Sequence, residues 1–254
     1  VIYVYSCIVD GFDNLRSPAC PIDFNVRYIC FTNVPNLPRV YPWEYRPIYP
    51  VGAPCRSARV AKILPHLLLP EDAEYSIYHD GNFQLREDPN KIIDLVSREP
   101  WAAHKHPCRN CVYQEAEILL RENIGTRALV EAEIARYREQ QYPEGAGLWA
   151  NGLIVRRHTP EVAALNEQWW ELYAAGSERD QLSFPVARHA MGLPIRTIDA
   201  DVWSSPYMLF RWHGAWKDRE DNPDYRPERE RIRARLERLR HVTGSSGGVT
   251  YVDY

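Results

Sequence analysis

Glu74-Tyr75-Ser76-Ile77-Tyr78-His79-Asp80-Gly81-Asn82 reads as a short strand that runs straight into a polar turn. A helix is expected on the near side, over Cys55–Leu69, with Val60, Ile63, Leu64 and Leu67 on one face and a kink or early end at Pro65. Another is expected after it, over Pro89–Ser97, with proline at an early position. Helix, strand, helix is the repeating unit of a parallel sheet with covered faces. The same alternation extends outward. Val1–Val9 and Val26–Phe31 are apolar strands, and Tyr41–Tyr49 is a proline-interrupted edge. Helices are predicted over Val112–Asn123, Arg127–Tyr142, Pro160–Ala175 and from Arg179 to His189, bent at Pro185. Leu153–Val155 and Ile195–Ile198 are further short strands, and Arg226–Arg240 is a charged helix.

The composition fits one large α/β domain, expected over 1–243, with 244–254 as a flexible tail. The chain has 254 residues, 45% hydrophobic and 26% charged, and a net charge of -3. Such a balance carries no nucleic-acid footprint. There is no apolar run long enough for a transmembrane segment. Six cysteines do not make a disulfide scaffold; Cys7 and Cys30 lie in apolar strands and read as packed thiols. A reducing, cytoplasmic setting is the expectation. The P-loop, nucleophile-elbow and His-Glu-x-x-His patterns do not occur.

Ligands of parallel sheets bind at the carboxyl ends of strands. That rule selects Asp10, Thr32–Asn33 and His79-Asp80-Gly81-Asn82. Asp80 and Asn82, spaced i, i+2, can offer oxygens to one hard cation, Mn2+ or Mg2+; Asp-Gly-Asn is equally turn chemistry. Arg56, Arg59 and Lys62 share a helix and could hold a diphosphate, or form a solvated basic face. Asn151-Gly152 opens a strand, where glycine permits close backbone approach or a tight turn. Asp180-Gln181 starts a helix, as a sugar-facing pair or with Asp180 simply as the N-cap, favoured there by the helix dipole. His213 and Lys217 in His213-Gly214-Ala215-Trp216-Lys217 could meet a metal and a phosphate. His104, His106, Cys108 and Cys111 are crowded zinc-type ligands, or a pocket loop.

The order of these signals resembles the GT-A glycosyltransferases, in which an Asp-x-Asp loop, an Asn-small-Gly strand start, an Asp-Gln pair and a late His-Gly segment follow one another. More closely, the chain is similar to the glycosyltransferase-like family that includes a plant protein described as an alkaline ceramidase and a plant mucilage-polysaccharide protein. The stretches that carry the resemblance are Lys62–His66, Tyr78–Asn82, His106–Ala116 and Arg179–Phe184. It implies a GT-A-like, Rossmann-related fold: a mostly parallel central sheet with helices on both faces. It also implies transfer of a sugar from a nucleotide donor, with a UDP-sugar expected, to an acceptor hydroxyl. Asp80, with Asn82 where the pattern has a second Asp, would hold the cation with His213. Asp10 would lie near the nucleoside, and Asn151 and Gly152 at the donor sugar. Asp180 and Gln181 would sit at the reacting carbon or hold the acceptor. Glu115, with His106 and Arg109, would belong to the pocket. The other classes to weigh are a ceramide-type amidohydrolase, which zinc would favour, and a non-catalytic sugar-binding module, which Asn82 keeps open.

Overall fold

The computed structural model describes residues 1–49 and 51–211, all within one compact unit, Val1–Ala215. His213, Lys217, the charged segment 226–240 and the tail 244–254 lie outside the described residues. The central sheet has seven strands: β1 (Ile2–Ile8), β2 (Val26–Thr32), β3 (Glu44–Pro47), β4 (Tyr75–His79), β6 (Trp101–Lys105), β7 (Trp149–Arg157) and β8 (Arg196–Ile198). Their spatial order is β3-β2-β1-β4-β7-β6-β8. The pairs β1/β2, β1/β4, β2/β3 and β6/β8 are parallel. β7 runs against both of its neighbours, β4 and β6. The sheet is therefore mostly parallel, as expected, with one reversed strand that the alternation of elements did not announce. A second, two-stranded sheet pairs β5 (Phe83–Leu85) with β9 (Met208–Phe210).

Period-two alternation sends side chains of one strand to two cores. Tyr3, Tyr5 and Cys7 of β1 point to the first core, shared with α1 (Pro54–Ile63), α5 (Pro160–Ala175) and α6 (Asp180–Met191). Val4 and Ile8 point to the second, covered by α2 (Pro89–Ile92), the 3-10 turn Ile93–Val96 and the small sheet. The second face thus carries little helix. A third cluster joins α3 (Val112–Arg121) and α4 (Arg127–Glu139) to α6.

Local signals explain the boundaries. α1 ends at Ile63 because Pro65 cannot continue it; a short 3-10 turn, Pro65–Leu67, follows. Thr159 caps α5, accepting from the Val162 N–H at 3.3 Å, and Pro160 supplies the preset φ of a first turn. Asp180 is not the N-cap of α6: Arg179 holds that position and Asp180 stands in the first turn, and the helix closes at Gly192 in the left-handed conformation. Arg156 of β7 is fully buried and binds the elements together. It donates to the Tyr5 hydroxyl and to the Lys62 carbonyl, both at 2.7 Å, and lies 4.1 Å over the Trp101 ring.

Candidate active site

Where β1 and β4 end and β7 begins, the sheet opens into a cavity of about 770 Å³. Asp10, Arg59, Lys62, Asp80, Gly81, Asn82, His106, Asn151, Gly152, Asp180 and Gln181 all line it. Six separate stretches of chain deliver them. Arg56, His79, Arg109 and Glu115 do not line it.

Lys62 is the hub. Its side chain is 2% exposed, and its ammonium lies 2.7 Å from Asp180 Oδ2 and 3.3 Å from Asp80 Oδ1. The Tyr78 hydroxyl donates to the same Asp80 oxygen at 2.7 Å. Arg59 stands 3.5 Å from Asp180. A buried ammonium is tolerated only when paired, and here one cation serves two carboxylates. Burial alone would raise the Asp180 pKa. The charges of Arg59 and Lys62 outweigh it and hold this carboxyl well below the usual carboxylate range. Conversely, burial pulls Arg59 down, but Asp180 and Asp80 keep it above its ordinary value.

Two glycines let the backbone close on this cluster. A Cβ on Gly152 would lie 2.7 Å from the Phe83 ring, and its carbonyl accepts the Asp80 N–H at 2.9 Å. A Cβ on Gly81 would lie 2.7 Å from Asp13 Cβ. Asn151 is buried; its amide N–H donates to the Asp180 carbonyl at 3.4 Å, while its Oδ1 has no partner among the described residues. At the rim, Asp10 (φ 54) exchanges hydrogen bonds with Asn33 at 2.7 and 2.8 Å, tying the ends of β1 and β2.

The turn that presents Asp180 is held from behind. Glu133 of α4 is buried and accepts from the Ser177 N–H at 2.8 Å, the Ser177 hydroxyl at 2.6 Å and the Tyr137 hydroxyl at 2.5 Å. Gly176 leaves room for that carboxylate, since a Cβ there would lie 2.7 Å from it. Arg56 bonds Glu178 at 2.9 Å and the Ala174 carbonyl at 2.8 Å. Arg56 therefore fixes the turn instead of facing the cavity. His79 packs edge-on against Trp43 at 5.5 Å, its Nδ1 3.0 Å from the Asp80 carbonyl.

Residues 49–202 match the TOD1/MUCI70 glycosyltransferase-like domain. The chain belongs to this family. A relative, the probable hexosyltransferase MUCI70 of Arabidopsis thaliana, is 21% identical over 249 residues, covering 86% of this chain and 43% of the relative. The chain thus spans less than half of that protein. Among solved structures, mouse xyloside xylosyltransferase 1 in its apo form is similar at a TM-score of 0.45 and 9% identity, over 89% of this chain and 92% of that one.

Within the TOD1/MUCI70 match, the His106–Ala116 stretch forms a self-contained polar cluster. Glu115 is buried and bonds Arg109 at 2.6 Å; His106 lies 3.8 Å from the same carboxylate. His106 Nδ1 accepts from the Cys108 and Arg109 N–H groups at 3.3 and 3.1 Å. His104 spends one ring nitrogen on the Ala200 carbonyl at 2.9 Å and the other on Ser205 Oγ at 3.0 Å. Neither histidine has a lone pair turned to zinc, and no group of three His, Cys, Asp or Glu side chains among the described residues is placed to hold a metal. Of this crowded set only His106 reaches the cavity; His104, Cys108 and Cys111 do not line it.

Burial first, and then the Arg109 charge, push His106 down to about 3. The unfolded imidazole takes a proton near its ordinary value of about 6.5. Stability is therefore full above that value and falls as pH drops from it towards the folded value, at up to roughly 1.4 kcal/mol per pH unit from this group. His106→Gln flattens that slope. Urea unfolding of both proteins between about pH 6 and pH 4 measures it; parallel slopes would mean that His106 is not the group responsible.

The cavity is also lined by residues that no motif marked: Phe12 and Asp13 after β1, and Val202, Trp203 and Phe210 near the end of the described chain. Glu133 and Arg156 support the site without lining it. Each lacks a neighbour in sequence that would point to it. Only the fold brings them in.

Proposed function

We propose that this chain transfers a sugar from a nucleotide-sugar donor, with a UDP-sugar expected, to an acceptor hydroxyl. The observation that carries the reading is the Lys62 ammonium held between Asp80 and Asp180 in one cavity with Asn82, Asn151 and Gly152. Membership of a glycosyltransferase-like family and the likeness to a probable hexosyltransferase support it.

A hard divalent cation takes oxygen ligands, and Mg2+ commonly uses one or two carboxylates beside substrate phosphates and waters. The cavity is lined by Asp80, Asn82 and Asn151, and the Asn151 Oδ1 has no partner among the described residues. Those groups fit a cation shared with a diphosphate, and Asp80 with Asn82 would hold it. When bound, Mn2+ or Mg2+ neutralises charge on the departing diphosphate. Arg59 and Lys62 add fixed positive charge beside it, at no cost of reorganisation. Lys62 also sets the distance between the two carboxylates. Asp180 is a weak proton acceptor, because its pKa is held far below neutrality. This favours Asp180 as the group that holds the donor sugar, with Gln181, over a general base. Such a role suits retention at the sugar carbon.

Thermal unfolding with a panel of nucleotide sugars, with and without Mn2+, tests the proposal. A ligand at a hundred times its Kd adds about 2.7 kcal/mol, a rise of roughly 5–10 °C for a domain of this size. A UDP-sugar that raises Tm in the presence of Mn2+ is the expected result. No rise with any nucleotide would overturn it.

A further inference from the structure

The Asp80-Gly81-Asn82 loop supplies one carboxylate where a doubly acidic loop would supply two, and affinity for hard cations scales with ligand charge. The structure brings another carboxylate to the same loop from a distant part of the sequence. Asp13, in the segment after β1, is 8% exposed and lines the cavity together with Asp80 and Asn82. It lies flat against Gly81: a Cβ there would meet Asp13 Cβ at 2.7 Å and Asp13 Oδ2 at 2.8 Å. Any other residue at position 81 would push that carboxylate away. Arg16 lies within the field of the Asp13 charge. A second observation points to a ligand here. Asn151, 2% exposed, lines the same cavity with an Oδ1 that has no partner among the described residues, and the adjoining Gly152 carbonyl accepts the Asp80 N–H.

We propose that Asp13 is the second carboxylate of the cation and diphosphate site, supplying the negative charge that Asn82 lacks. The proposal rests on the glycosyl-transfer reading and names one more residue of its site. Two loops far apart in sequence would then share one divalent cation. The glycine between Asp80 and Asn82 is required by the packing of Asp13 and not by a left-handed backbone.

The test is Mn2+ binding in the presence of UDP, followed by the loss of the free-Mn2+ paramagnetic resonance signal, with no turnover involved. Asp13→Asn is expected to weaken Mn2+ roughly tenfold or more, with Asp80→Asn as the reference for a lost ligand. Adding Asn82→Asp to Asp13→Asn restores the carboxylate count within the loop and is expected to recover most of the affinity. Thermal unfolding checks that each variant is folded. Should Asp13→Asn prove unstable, Gly81→Ala displaces the carboxylate without deleting it and is expected to weaken Mn2+ likewise. Wild-type affinity in Asp13→Asn, with loss in Asp80→Asn, would overturn the role of Asp13 and leave the cation site standing. Absence of Mn2+ binding by the wild-type chain would overturn both.

Discussion

Lys62→Ala costs roughly 3–5 kcal/mol of unfolding free energy, because it leaves buried charge without its partner. Asp180 and Asp80 then lose the ammonium between them; among the described residues Arg59, 3.5 Å from Asp180, and the charge of Arg179 remain to act on Asp180. For a chain of this length the loss corresponds to a fall in Tm of roughly 6–20 °C. Lys62→Met, which keeps the length of the side chain, recovers packing but not charge, so it remains well below the wild type. The two carboxylates should respond as well. With the ammonium gone, the pKa of Asp180 rises, and part of the lost stability returns at acid pH. Urea unfolding of Lys62→Met at neutral and acid pH reads both effects. Unchanged stability at neutral pH would mean that Arg59 and Arg179 can balance the pair without the ammonium, and the central place given to Lys62 would be lost.

Asp180→Asn lowers glycosyl transfer by about 10²–10³-fold, in the range found for groups that position a reacting centre. The isosteric amide keeps the volume but not the charge that Lys62 and Arg59 hold. What separates positioning from base catalysis is the pH profile. A carboxylate held far below neutrality does not titrate in the working range. The variant should therefore show the rising limb of the wild-type profile at a reduced rate. Loss of that limb in Asp180→Asn would make Asp180 the base and reverse the assignment.

Much of this site was legible in the sequence, for a physical reason. Asp80, Asn82 and Asp180 each sit beside or at a strand or helix terminus, and termini announce themselves by composition; Asn151 and Gly152 do not open their strand as expected but lie inside β7, which begins at Trp149. α5 was legible to the residue, because Thr159 and Pro160 mark its start. β6 was not. Its residues Trp101 to His104 are buried on both faces, so no alternation of polar and apolar positions appears, and its histidine drew the eye to zinc instead. The reversed direction of β7 was also hidden. Two helices intervene between β6 and β7, and the chain returns to the edge it left: Lys105 pairs with Trp149, and His104 with Ala150. Asp13, Trp203 and Glu133 were beyond reach for a different reason. A charged or aromatic residue in a loop, or a glutamate on a charged helix such as α4, looks the same in sequence whether it faces solvent, a cavity or a buried partner, and tertiary packing alone decides.

That return has an evolutionary consequence. The excursion from 106 to 148 departs from the cavity edge at the end of β6 and comes back to it at the start of β7. Its helices, α3 and α4, gather most of the third apolar cluster around themselves. A segment anchored in this way can be lengthened, shortened or exchanged without shifting the register of any strand. Variation in what enters the cavity from that side can then accumulate in the loops of this excursion, so long as Glu133 of α4 keeps its hold on Ser177 and on the turn that presents Asp180 to Lys62.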